Sequence, residues 1–178
     1  MKGIILLEGP DASGKSTLAK KIIEKHGGIY MHLTYRFANK MHLYQLAMLR
    51  KALQLSRKTL VVIDRMHISE KIYADVYRGG TKWPWLETSF NSFFKKMKFP
   101  IVLCVPETLE QGLNWFEKAK NERPEMYSDV TEVIKRYIDY AKNNKNIIVY
   151  NRDLNDQYSF YLDYTLAEIE HYLVSGEI

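Results

Sequence analysis

The chain has 178 residues, 46% of them hydrophobic, a formal net charge of +5 and a pI of about 9.1. That apolar content excludes a disordered or low-complexity protein and suits one domain, 1–178, with a full core. No apolar run approaches the roughly 18 residues of a membrane span, and the positive charge suits polyanionic ligands, nucleotides or nucleic acid, without choosing between them.

In chain order, residues 2–7 read as a first strand and 14–26 as a helix, with apolar residues at 18, 19, 22 and 23 and basic residues opposite. Met1-Lys2 leads straight into that strand, so no signal peptide is expected. Gly27-Gly28 stops the helix. Residues 29–33 form a second strand that leads into Thr34-Tyr35-Arg36-Phe37, and 39–56 a helix. Residues 59–64 are β-branched and almost continuously apolar, as in a parallel strand buried on both faces. Helices are expected over 68–78 and 86–97, parted by Gly79-Gly80 and a Lys82-Trp83-Pro84-Trp85 turn. A fourth strand, 101–105, holds the one cysteine, Cys104, expected as a buried reduced thiol in a cytoplasmic setting. Thr108-Leu109-Glu110-Gln111 matches a capping box and opens a helix to about residue 119. Residues 120–129 are polar, contain Pro124 and read as a mobile loop. A helix over 130–142, a strand over 147–150, a loop over 151–156 and a helix over 157–174 close the chain.

Strands alternating with helices predict an α/β fold of three layers, a five-stranded parallel sheet with helices on both faces. Ligands then bind beyond the carboxyl ends of the strands. Residues 9–16, Arg36, Asp64-Arg65 and the loop after Tyr150 all fall there, which makes Arg152 a candidate contact for a nucleotide cofactor.

The most informative stretch is Gly9-Pro10-Asp11-Ala12-Ser13-Gly14-Lys15-Ser16-Thr17, which fits G-x-x-x-x-G-K-[ST] between a strand and a helix. Gly9 and Gly14 allow backbone conformations that turn successive N–H groups toward phosphate oxygens. The helix start adds unpaired N–H groups and a positive dipole end. Lys15 can reach the outer phosphates of ATP, and the Ser16 hydroxyl can ligate Mg²⁺. At the end of the third strand, Asp64 can hold Mg²⁺ or its waters and Arg65 can clamp a phosphate.

Together these residues resemble the thymidylate kinase-like group of P-loop kinases over most of the chain. The resemblance rests on the stretch from Glu8 to Thr17, on Asp64-Arg65 followed by Ser69 and Tyr73, on Val105-Pro106-Glu107-Thr108, and on a later loop with Arg123. Variants of Asp-Arg-x-x-x-Ser-Glu-x-x-Tyr are also similar to small deoxynucleotide kinases of viral genomes. The resemblance implies a three-layer P-loop kinase fold with a lid at about 118–129. It implies that Asp11 meets the sugar 3′-hydroxyl or orders the site through water, and that Arg65 and Arg36 hold the acceptor phosphate. Ser69 lies in the acceptor site. By the same resemblance Tyr73 would crowd the 2′ position and favour deoxyribose, and Phe37 and Tyr77 are base-stacking candidates; a core or helix-packing role is the alternative for each of the three. The phosphate loop carries no arginine, so Arg123 becomes the catalytic lid cation, or else a solvated loop residue.

Glu70 departs from the thymidylate kinase pattern, which places an amide or small polar residue there. An ionised carboxylate accepts and cannot donate, so it suits an amino group on cytosine or adenine; alternatively it caps a helix start near Ile68. The implied activity is ATP- and Mg²⁺-dependent phosphoryl transfer to a deoxynucleoside monophosphate. A hydroxyl acceptor, on a deoxynucleoside or on a modified base in DNA, would need a base, for which Asp64, Asp11 and Glu8 compete. A nucleotide-binding regulatory protein is disfavoured by the absence of an Asn-Lys-x-Asp motif. A homodimer stays open, and no membrane partner is expected. His67 reads as a helix-start polar residue, and Trp83-Pro84-Trp85 as either groove lining or core cover.

Overall fold

The computed structural model describes residues 1–34, 40–122, 129–157 and 160–175. Five short strands alternate with helices: β1 (Gly3–Glu8), α1 (Lys15–His26), β2 (Ile29–His32), α2 (Met41–Ser56), β3 (Leu60–Asp64), α3 (His67–Tyr77) and α4 (Trp85–Lys96). They continue with β4 (Ile101–Cys104), α5 (Leu109–Glu122), α6 (Thr131–Asn143), β5 (Ile148–Tyr150), α7 (Arg152–Gln157) and α8 (Tyr161–Ser175). The strands form one parallel sheet in the order β2-β3-β1-β4-β5. Chain order and sheet order therefore part at β1, with β3 on one side of it and β4 on the other. A ligand cleft opens at such a switch point.

Alternate residues of each strand point to opposite faces. Ile4, Leu6, Val61, Ile63 and Leu103 meet apolar residues of α2, α3, α4 and α6. Ile5, Leu7, Val62, Val102 and Cys104 meet those of α1 and α8. Both faces of the sheet are covered, and the three-layer α/β arrangement stands as expected. Cys104 is fully buried, and burial pushes its thiol up to about 12.

Two expectations need correction. The loop expected over 151–156 is largely helix α7. Asn151 starts it: its Oδ1 accepts from the Asp153 N–H at 3.0 Å, the bond of a helix N-cap. Helix α5 runs on to Glu122, so the first part of the anticipated lid, 118–122, is helical. The rest of that lid, 123–128, lies outside the described residues. The capping box before α5 forms by half: Thr108 Oγ1 accepts from Gln111 N at 3.2 Å, while Gln111 Oε1 accepts from Glu107 N at 2.8 Å.

Candidate active site

The phosphate loop follows β1, the middle strand, and its backbone explains its glycines. Gly9 has φ +149, and a Cβ there would lie 2.2 Å from the Cys104 carbonyl oxygen. Gly14 has φ +84, the left-handed region, immediately before α1. Among the described residues no side chain caps α1, and its first turn carries no acid, so its N–H groups face the loop as an anion site. Lys15 Nζ is folded onto the loop, donating to Gly9 O at 3.0 Å, Pro10 O at 2.5 Å and Ser13 Oγ at 3.2 Å. Ser13 Oγ in turn donates to Pro10 O. Burial pushes Lys15 down to about 8, and neighbouring Arg65 adds to this. A phosphate would restore the charge compensation that three neutral acceptors do not supply.

Ser16 and Asp64 come together across the sheet. Asp64 Oδ2 accepts from Ser16 Oγ at 3.3 Å and from the Tyr30 hydroxyl at 2.6 Å. Its Oδ1 is buried and makes no hydrogen bond among the described residues. A hydroxyl beside one carboxylate with a spare buried oxygen fits Mg²⁺, an oxygen-seeking ion that Ser16 and Asp64 would hold together with substrate phosphates. Among the described residues no group of three acidic, His or Cys side chains could hold a metal without such help. Sequence reasoning missed Tyr30, whose hydroxyl aims Asp64. Burial and its bond to Asp64 push Tyr30 up to about 12.

On the other side of the loop, Asp11, Arg65, Ser69, Glu70 and Tyr73 line one cavity of about 270 Å³. His32, Leu33, Thr34 and Met41 complete its wall and carried no sequence signal. Arg65 donates to Asp11 Oδ1, and the Tyr73 hydroxyl donates to Asp11 Oδ2 at 2.6 Å. The Tyr73 oxygen also accepts from the Asp11 N–H at 3.2 Å. The Arg65 guanidinium lies 5.0 Å from the centre of the Tyr73 ring. Burial pushes the Asp11 carboxyl up, but Arg65 and Lys15 outweigh it and hold it below its ordinary value. Arg65 has φ +69, a strained backbone for a non-glycine residue, and its N–H is held by Leu7 O at 2.9 Å.

Glu70 does not cap α3. Its Oε2 accepts from Arg78 at 2.9 Å, about two turns further along. The capping is done by Glu8, whose carboxylate takes the N–H groups of Met66, Ile68 and Ser69. Tyr77 lies outside the cavity wall, tilted against Tyr73, with its hydroxyl donating to Asp129 O at 2.5 Å. His67 is buried against Phe90 and Phe94 with Nε2 at 2.7 Å from Asn91 Oδ1, and burial pushes it down to about 4. Trp83 packs on the core and on His42.

At the far side of the phosphate loop, Arg152 Nη1 donates to Ala12 O at 2.7 Å. Its guanidinium lies 4.6 Å from the Trp115 ring centre. Trp115 Nε1 and Gln111 Nε2 both donate to Asp153, which braces the start of α7. Sequence reasoning missed Trp115 and Asp153. Thr17 is exposed on the first turn of α1. Arg36, Phe37 and Arg123 lie outside the described residues.

No family model matches the chain, and no curated protein matches its sequence. Solved structures share its fold, a five-stranded parallel sheet flanked by helices, and deoxynucleoside kinases are among them. Among them is the YorR protein of Bacillus subtilis, solved in complex with phosphorylated GDP. That likeness has a TM-score of 0.65 and 20% identity over 95% of this chain and 98% of that one. Another is deoxyadenosine kinase from M. mycoides, solved with the products dCMP and a flexible dCDP. There the TM-score is 0.56 and the identity 14%, over 97% of this chain and all of that one.

Proposed function

We propose that this chain is a nucleotide kinase that transfers a phosphoryl group from ATP to a deoxynucleoside monophosphate. The observation that carries this reading is the cavity that shares Asp11 with the phosphate loop and sets Arg65, Tyr73 and Glu70 around it. ATP would lie across residues 9–17, with Arg152 on the outer side of the loop. Ser16 and Asp64 would hold Mg²⁺, which neutralises charge on the phosphate oxygens when bound. An acceptor phosphate oxygen attacks the γ-phosphorus, the bond to the β–γ bridging oxygen breaks, and ADP leaves. Lys15 compensates the charge on the transferring group, and Arg65 aligns the acceptor phosphate. Arg123 and Arg36 keep the roles of lid cation and second acceptor-phosphate contact in this proposal.

The choice of a monophosphate over a hydroxyl acceptor follows from the carboxylates. A hydroxyl needs a base. Asp11 is committed to Arg65 and Tyr73 and is held below its ordinary pKa, which weakens it as a base. Glu8 is sealed beneath α3, and Asp64 is held by Ser16 and Tyr30 and assigned here to Mg²⁺. A phosphate oxygen is already anionic and needs none of them. Glu70 in the cavity wall supports cytosine or adenine, which carry an amino group, over thymine.

An ADP-release assay over the four deoxynucleoside monophosphates, the free deoxynucleosides and hydroxymethyluracil-containing duplex DNA tests the proposal. Monophosphates should be used, with dCMP or dAMP ahead of dTMP. Transfer only to nucleosides or DNA would overturn the acceptor assignment. ADP release with none of them would overturn the kinase reading.

A further inference from the structure

We infer that Glu8 is a positioning residue: from the end of β1 its carboxylate fixes helix α3, and so the acceptor wall, relative to the phosphate loop. The inference rests on the acceptor reading of the cavity given above. Helix α3 cannot cap itself, because the residue at its N-cap is Met66, whose side chain makes no capping bond. The leading N–H groups of a helix need outside acceptors, most of all when buried. Glu8 supplies them from a strand about sixty residues earlier. Its Oε1 accepts from Met66 N at 2.9 Å and from Ile68 N at 3.2 Å. Its Oε2 accepts from Ser69 N at 3.1 Å and from Ser69 Oγ. Ser69 Oγ then accepts from the Tyr137 hydroxyl, at 2.7 Å, on α6. One fully buried carboxylate thus joins β1, α3 and α6.

Its position gives this cap a consequence beyond stability. Glu8 is covalently next to Gly9, the first glycine of the phosphate loop. The residues it grips begin the helix whose first two turns carry Ser69, Glu70 and Tyr73 into the cavity. Glu8 itself does not line that cavity. It therefore acts on the acceptor through α3, and it ties the acceptor wall to the strand that ends in the donor loop.

The test is Glu8→Gln, which preserves size. The amide oxygen still accepts from Met66 and Ile68, but the amide nitrogen turns a donor toward the Ser69 N–H. At pH 8, where Glu8 is ionised, the acceptor KM should rise about tenfold, the scale of one lost buried charge-assisted hydrogen bond, while the ATP KM stays within about twofold. Tyr137→Phe, which keeps the cap and loses one strut, should raise the acceptor KM about threefold. The double variant should fall short of the product of the two, because both act through Ser69. Hydrogen exchange at the Met66, Ile68 and Ser69 amides should quicken in Glu8→Gln relative to the rest of the sheet. A lower Tm with both KM values unchanged, or both raised alike, would reduce Glu8 to a stabilising cap and overturn the inference. If the unmutated protein transfers no phosphate, the proposed function fails. The exchange rates of those three amides then decide Glu8, and unchanged rates overturn its positioning role.

Discussion

Glu70→Gln probes how the acceptor base is chosen. The Glu70 side chain is only 6% exposed, yet it lines the cavity. Arg78 occupies Oε2 at 2.9 Å, and Oε1 makes no hydrogen bond among the described residues. Burial pushes the carboxyl up from its ordinary value, against the pull of Arg78. If Oε1 accepts from the amino group of cytosine or adenine, the amide variant can turn a donor there instead. It then matches a thymine carbonyl and meets the amino group donor to donor. One mismatched hydrogen bond in a buried site costs about 1–3 kcal/mol, or roughly 5–150-fold in relative kcat/KM. The ratio of dCMP or dAMP to dTMP should therefore fall about fivefold or more. If Glu70 only holds Arg78, the outcome differs. Glu70→Gln and Arg78→Gln would each cost about 1–2 kcal/mol of stability, and the base ranking would not move. Measuring kcat/KM for four monophosphates with three proteins, beside urea unfolding, separates the two. An unmutated enzyme that strongly prefers dTMP, indifferent to Glu70, would refute the base-reading argument.

Lys15→Met should lower kcat by about 10²-fold or more, the scale of losing one charge stabiliser, with little change in circular dichroism. A folded variant with normal turnover would remove the loop from the mechanism. Tyr73→Phe should keep the preference for deoxyribonucleotides, because the ring stays; Tyr73→Ala should relax it, and competition between dCMP and CMP measures this. The pH dependence of folding should carry the mark of Glu8, whose carboxyl burial pushes up to about 7 from 4.5, despite Ser69, Arg65 and the Met66 N–H. A raised folded pKa contributes stability that is complete below about 4.5 and lost as pH climbs through about 7. Unmutated protein should thus lose stability relative to Glu8→Gln across that window in paired urea titrations. The pairing cancels His67, which is pushed down to about 4 and has the opposite slope. Parallel curves would show that Glu8 does not titrate there.

What could be read from the residues alone was local. The spacing of Gly9, Gly14 and Lys15 identified the phosphate loop, because glycine dihedrals and the strand–helix context act within a few residues. All five strands were legible: β1, β3 and β4 as apolar runs buried on both faces, and the partly exposed β2 and β5 as short β-branched and aromatic runs. Helix α7 was not, because residues 152–157 are mostly polar and show no apolar period. Its start is held by the Asn151 cap, and Trp115 and Gln111 reach Asp153 from another helix.

Within the site, the family resemblance pointed to Asp11, Arg65 and Tyr73, and the fold alone joined them in one hydrogen-bonded triad. It alone showed Tyr30 aiming Asp64, Trp115 under Arg152, and Arg78 on Glu70. In the sequence, Glu8 is an acid ending a strand, with nothing to mark it as the cap of a helix that starts near residue 67. That helix reaches it only because β3 pairs beside β1, with Leu7 opposite Asp64. Propensities and motif spacings act between chain neighbours, so the chain's order is enough to reveal them. A hydrogen bond between residues sixty positions apart exists only once the sheet has brought two strand ends together, so only the tertiary structure decides it.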